Sequence, residues 1–167
     1  NFGTYKGEKI FEVEEIVVST NTLSFQDYLD CRKFHLILEA YYKENPFTEL
    51  IAYMNSLEIP TSDFFFFLFN HLYEAPEALR NVFEEFTQET EGELFDGREE
   101  LIEFMEHRIN DIIAGKFGGN LLQKYSVKLW FGNLDALISY AVDSARKLLL
   151  SRAPQMEITP DEICEQL

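Results

Sequence analysis

The spacing of apolar positions changes along the chain, and the changes mark its elements. Residues 1–8 read as a linker. From Lys9 to Val18, Ile10 and Val13 alternate with charged residues and lead into the run Ile16-Val17-Val18. That is the period-two pattern of a strand. A lone strand cannot satisfy its own backbone groups, and little else in the chain reads as one. Its partner is expected in upstream sequence or in a second copy, unless the segment folds as a short hairpin.

Beyond Ser24 the spacing becomes helical. Ser24-Phe-Gln-Asp27 has the spacing of a capping box, with Asp in place of the preferred Glu. The helix predicted over 24–43 carries Phe25, Leu29 and Leu36 on one side and Phe34, Leu38 and Tyr41 on another. Such breadth predicts a central, buried helix. Asn45-Pro46 opens the next, to about Leu57. Thr61 or Ser62 caps a third, over 63–74, which holds the run Phe64–Phe67. Pro76 opens a fourth, to about Thr90. Asp96-Gly-Arg-Glu99 repeats the capping-box spacing before a fifth, whose stripe is Leu101, Ile102, Met105, Ile109, Ile112 and Ile113.

Gly115, Gly118 and Gly119 break that helix. A long helical stretch follows over 120–151, with an interruption expected at Gly132. Its second half carries Leu134, Leu137, Ile138, Ala141, Val142, Ala145, Leu148 and Leu149. Pro154 ends the pattern, and Thr159-Pro-Asp-Glu162 starts a last short helix. The expected fold is mainly α: a bundle-like domain of about six to seven helices with one N-terminal strand or short hairpin. The chain opens at Asn1 and closes at Leu167 in mid-pattern, so both ends read as cut, as in a domain excised from a longer protein.

Composition narrows the function classes. Fourteen basic residues face thirty acidic ones, a net charge of −16. That surface repels phosphate backbones and anionic lipid headgroups, so neither nucleic acid nor membrane is expected as a partner. No segment reaches the roughly 18 apolar residues of a membrane span. With two cysteines and no signal peptide, a cytoplasmic location is the simplest expectation.

Several clusters invite a chemical reading. Asp27, Cys31, His35 and Glu39 recur at i, i+4 on the first helix, so neighbours in the series could share a metal ion. The series drifts about 40° per step around a 3.6-residue helix, so the four cannot meet at one ion. The plainer reading is a half-buried cysteine, a hydrogen-bonded histidine and solvated carboxylates. His35 stays a candidate for facing a substrate. Glu103, His107 and Asp111 form a similar series opposite the fifth helix's apolar stripe and read as surface ion pairing. The interval Glu84–Glu106 holds ten carboxylates but lacks the pattern of a calcium loop, so it reads as a solvated acidic face.

No histidine has a Glu three residues before it, which argues against a four-helix di-iron enzyme. Phosphate-loop, dinucleotide, zinc-protease and serine-hydrolase motifs are missing from the sequence. Gly118-Gly119-Asn120 could offer N–H groups to an anion at a helix start, although a helix break is the commoner meaning of paired glycines. Glu14 and Glu15 are further candidates: on a barrel strand, alternation would send one of them inward toward a substrate.

One passage has a family likeness. Glu15-Ile-Val-Val18 followed by Thr20-Asn-Thr22, then Ser24-Phe, Asp27-Tyr28, Cys31-Arg32 and Phe34-His-Leu36, resembles the sequence just past the catalytic barrel of cobalamin-binding radical S-adenosylmethionine (SAM) enzymes. Gly119-Asn-Leu-Leu122 with Lys124-Tyr125 adds to the likeness, which is strongest over Phe11–Tyr42 and weak beyond. In that family a Cys-x-x-x-Cys-x-x-Cys loop binds a 4Fe–4S cluster that cleaves SAM, and an upstream domain often binds cobalamin. The loop is missing here, and Cys31 and Cys164 are too far apart to replace it. The resemblance therefore implies no catalytic, cofactor-binding or metal-binding residue in this chain.

What the resemblance does imply is a place. Residues 1–23 would be a linker and strand continuing an upstream domain, and 24–167 a helical accessory domain beside the barrel mouth. Such a domain would close the active site, shape substrate specificity or mediate dimerisation, without being catalytic itself. Its partner would be the radical SAM barrel of the same polypeptide, with a homodimer as a further option. The parent would use a 4Fe–4S cluster and SAM, with cobalamin as an optional third cofactor. The alternative is an independent helical interaction or regulatory module.

Overall fold

Two short strands and eight helices make up the described part of the protein, in a computed structural model that describes residues 2–43, 46–114 and 117–153. The predicted last helix at Thr159–Glu162, the Pro154 stop, Gly115, Asn45 and Cys164 lie outside the described residues.

Of the two expected forms of the N-terminus, lone strand or short hairpin, the structure shows the hairpin. Strand β1 (Phe2–Tyr5) pairs antiparallel with β2 (Glu8–Phe11), with Gly3 opposite Ile10 and Tyr5 opposite Glu8. Lys6 and Gly7, with φ of 52° and 84°, make the two-residue turn. Positive φ at both central positions is the turn geometry that matches strand twist. So the partner of β2 is the segment that reads as linker, and the strand stops at Phe11. Residues 12–18 are irregular.

Helix α1 (Phe25–Tyr41) begins as expected. Ser24 Oγ accepts from the Asp27 N–H at 3.1 Å, and the Asp27 carboxylate accepts from the Ser24 N–H at 2.8 Å. A hydrogen bond from the Ser24 hydroxyl to the Asp27 carboxylate at 2.7 Å, and then that from the Ser24 N–H, hold the carboxyl below its usual range. The helix packs on α3, α4 and α7 and is central in that sense. Its buried residues, Leu29, Leu36, Ile37, Ala40 and Tyr41, form one stripe, with Phe34 and Leu38 half-buried beside it. The opposite side, including Cys31 and His35, is exposed, so burial is narrower than predicted.

Helix α2 (Thr48–Ser56) starts two residues after Pro46. Helix α3 (Thr61–Asn70) follows Pro60 and gives way to a single 3₁₀ turn at Leu72–Glu74 instead of running on to 74. Its phenylalanines divide between faces: Phe64 and Phe65 are buried, whereas Phe66 is exposed and stacks on Phe34 at 5.0 Å. Helix α4 (Glu77–Gly92) follows Pro76 and buries Leu79, Val82, Phe83 and Phe86 at helical spacing. Burying one such side chain contributes about 1.5–3 kcal/mol. The buried Thr90 hydroxyl is satisfied by donating to the Phe86 carbonyl at 2.7 Å.

The predicted fifth helix is two. Helix α5 (Arg98–His107) is capped by Gly97, without the side-chain bond the Asp96 spacing promised. The helical path breaks at Arg108 (φ −110°, ψ 17°), and α6 (Ile109–Ile113) follows. Neither has a fully buried residue, so this pair lies off the core. The long C-terminal stretch divides where Gly132 suggested, into α7 (Leu121–Gly132) and α8 (Leu134–Arg152). Trp130, on α7, donates its indole N–H to the Ala40 carbonyl at 3.0 Å and so ties α7 to the last turn of α1. Helix α8 buries Leu137, Ala141, Ala145, Leu148 and Leu149, while Leu134 and Ile138 stand at the exposed edge of the predicted stripe. These breaks, at Arg108 and Asn133, account for the higher helix count.

Candidate functional site

The candidates from the first helix do not converge. His35 and Cys31 are exposed on α1, and Glu39 pairs with Lys43 one turn on. Glu14 and Glu15 are both exposed on the irregular segment after β2. With no strand there, alternation cannot turn one of them inward. Among the described residues, no three of His, Cys, Asp and Glu come together as a metal-ligand set. Cys31 is exposed and is the one cysteine among the described residues, so no second thiolate joins it there.

On α5 and α6, His107 directs Nδ1 to the Glu103 carbonyl at 2.7 Å, while Arg108 pairs with Asp111 at 3.3 Å. The ion pair in this series is thus made by a neighbour that the spacing did not single out.

Part of the acidic interval is structural. On α4, Glu89 accepts from Lys124 at 2.6 Å and from the Tyr125 hydroxyl at 2.7 Å, and Glu85 pairs with Lys128. Both lysines are on α7, so the acidic face of α4 fastens two helices. Burial disfavours the Glu89 charge, but Lys124 and Tyr125 outweigh it and hold the carboxyl below its ordinary value. Burial, the Glu89 hydrogen bond and nearby carboxylates push the Tyr125 hydroxyl the other way, far up.

A small cleft of about 180 Å³ separates α3 and its 3₁₀ turn from α8. It gathers His71, Glu74, Tyr140, Ser144 and Lys147, a set that resembles a catalytic group on paper. Its members are already bonded. Lys147 holds Glu74 at 2.6 Å, Tyr140 donates to the Leu68 carbonyl at 2.7 Å, and His71 stacks on Phe67 at 3.9 Å. The cleft is therefore a polar seam between helices.

The larger cavity, about 460 Å³, lies at the α5–α6 pair. Phe95, Leu101, Phe104, Met105, Ile112 and Phe117 line it, so half of the predicted α5 stripe faces a cavity instead of the core. Phe104 is the corner: its ring lies 5.0 Å from Phe95 and meets Phe117 edge-on at 5.4 Å. Gly92, Gly118 and Gly119 form an open part of the wall, and Glu93 and Glu12 supply carboxylates. The Gly118 N–H points to Glu93 Oε1 at 3.4 Å, so the paired glycines face an anion of this same chain. Asn120 caps α7 with its own side chain. Half-burial pushes the Glu93 carboxyl above its ordinary value, in spite of that N–H. Glu93 is hidden in the sequence because it sits in a charge run. The signal that could have found it is its place between an aromatic pair, Phe95 and Phe86, and a glycine-broken turn.

Among the described residues, no helix is long and apolar enough to cross a membrane. No protein-family model, curated protein or solved structure matches the chain.

Proposed function

We propose that the chain is a helical accessory region of a radical SAM Fe–S oxidoreductase, catalytically inert by itself. In this reading it packs beside the barrel mouth and closes the active site, shapes substrate choice or mediates dimerisation. The observation that carries the reading is the segment after β2. Val13 to Ser19 holds the strand-forming run Ile16-Val17-Val18, yet it makes no backbone hydrogen bond to another described residue. Ile16 is 48% and Val17 71% exposed. An unpaired β-prone run with apolar side chains in water is a docking element for a sheet edge.

Its connection to the helical body is short and fixed. The Thr20 N–H donates to the Leu23 carbonyl at 2.8 Å, and Thr20 Oγ1 accepts from the Leu23 N–H at 3.0 Å. The α1 capping box follows at once. A sheet that took up residues 13–18 would therefore also fix the direction of α1. That coupling is what an accessory domain needs in order to sit at a defined angle over a barrel.

The cluster and SAM belong, in this reading, to the upstream barrel. Hydrogen exchange tests the docking. Amides of residues 13–18 are expected to be protected in a longer polypeptide carrying the barrel and to exchange freely in the chain alone. Equal, fast exchange in both would remove the docking role. The internal pairing of β1 with β2 favours a second reading, an independent helical interaction module in which the hairpin is a finished structure.

A further inference from the structure

We propose that the cavity between the end of α4, the α5–α6 pair and the Phe117–Gly119 turn binds a small organic cation, an ammonium group carried on an apolar body. The inference stands apart from the radical SAM reading and rests on three properties of the cavity.

The first is size and lining. At about 460 Å³ it falls in the range of small-molecule sites, which are mostly apolar with a few placed polar groups. The second is the kind of apolar surface. Phe95, Phe104 and Phe117 meet at a corner, and ring faces attract cations. The same corner already holds one: the Arg108 guanidinium lies 5.7 Å from the Phe104 ring centre and 5.8 Å from that of Phe117, and it is not part of the cavity wall.

The third is charge. The polar side chains on the wall are the carboxylates of Glu93 and Glu12, and among the described residues no lysine or arginine lines the cavity. Glu93 is half-buried, and its bond from the Gly118 N–H is long, at 3.4 Å. A carboxylate half-buried beside aromatic rings gains more from a cation than one in solvent does. The net charge of −16 draws cations toward the surface and turns anions away. An anionic ligand would meet the Glu93 carboxylate, whereas a cation would add to the support it has from the Gly118 N–H, Lys124 and Arg32. A strongly hydrated metal ion would find too few oxygen ligands and a wall of rings.

The glycines show how the cavity can be closed for a test. A β-carbon added at Gly119 meets nothing within 4 Å, and its backbone is outside the left-handed region. Gly119→Leu therefore adds an apolar side chain at the open part of the cavity wall without straining the backbone.

The experiment is a titration of the isotopically labelled chain with phenyltrimethylammonium, its neutral isostere tert-butylbenzene, and benzenesulfonate. The readouts are the Gly118 and Gly119 amides and the Met105 methyl. The cation is expected to give saturable shifts at all three, the neutral probe weaker ones and the anion none. Glu93→Gln should weaken the cation roughly tenfold and leave the neutral probe unchanged. Gly119→Leu should abolish the shifts while far-UV circular dichroism stays that of the wild type. Non-saturating shifts, equal affinity for the cation and either other probe, or shifts that persist in Gly119→Leu would each overturn the proposal. The probe series on the wild-type chain decides the charge preference even where a variant folds poorly.

Discussion

The Tyr140 hydroxyl donates to the Leu68 carbonyl across 2.7 Å, in the buried seam between α8 and α3. Leu68 is in the last turn of α3, where carbonyls lack an intrahelical donor, so a side chain seventy-two positions away does the work of a helix cap. Tyr41 is the contrasting case. It is 1% exposed, and its hydroxyl has no hydrogen-bond partner among the described residues. Tyr140→Phe is expected to cost about 1–2 kcal/mol, because it strands a buried carbonyl, whereas Tyr41→Phe should be neutral or stabilising. Urea unfolding of the two variants side by side checks this. A larger loss at Tyr41 than at Tyr140 would contradict the assignment.

The same tyrosines set an alkaline limit. Burial raises Tyr41 and Tyr140, and burial with the Glu89 hydrogen bond raises Tyr125, all from an ordinary value of 10.0. A raised folded-state value means that the stabilisation is whole below 10.0 and is lost as pH climbs toward the folded values. Thermal stability should therefore fall above about pH 10, with the tyrosinate absorbance of Tyr41, Tyr125 and Tyr140 appearing only on unfolding.

Two carboxylates one turn apart, Glu89 on α4 and Glu93 at its C-cap, respond to acid in opposite directions. Glu89 is held below its ordinary 4.5, so its contribution is present above 4.5 and lost as pH falls through the lowered value. Glu93 lies above 4.5, so its ionisation weakens the fold as pH rises through its raised value. Burial is the main cause, Glu89 adds to it, and Gly118, Lys124 and Arg32 oppose it. Glu93→Gln is expected to melt at or above the wild-type temperature at neutral pH, and Glu89→Gln below it. Melting curves across the acid range separate the two, and equal effects would contradict these environments.

Much of this architecture is legible in the residue order. The Ser24–Asp27 box, the start after Pro76 and the interruption at Gly132 each depend on local backbone chemistry, which a sequence displays directly, whereas α3 is capped at Pro60 and not by the Thr61 or Ser62 side chain. Other features depend on what lies across the fold. The Lys6-Gly7 turn is written in the sequence, but Phe2–Tyr5 reads as linker until it has β2 beside it. The break at Arg108 carries no glycine or proline. Half-burial of Glu93 follows from the position of the Phe117–Gly119 turn, which the charge run around it conceals. Glu14, Glu15 and His35 are candidates by analogy to a strand and a buried helix, and the structure leaves all three in solvent.

The proposed docking of residues 13–18 carries its own prediction. Ile16→Ser with Val17→Ser removes apolar groups that touch little in the isolated chain, so stability should stay within about 0.5 kcal/mol of wild type. In the longer polypeptide the same pair should loosen the helical region, seen as faster proteolysis between residues 12 and 24. A marked loss of stability in the isolated chain would mean that the segment belongs to the helical core.

The central claim concerns the parent polypeptide and is tested on it. The full-length natural product carrying this chain should be purified without oxygen and assayed for iron, sulfide and cobalt, with reductive cleavage of SAM as the readout. About four irons per chain and SAM cleavage are the expected result. A folded product with no cluster and no SAM cleavage would contradict it, leaving the helical interaction module in its place.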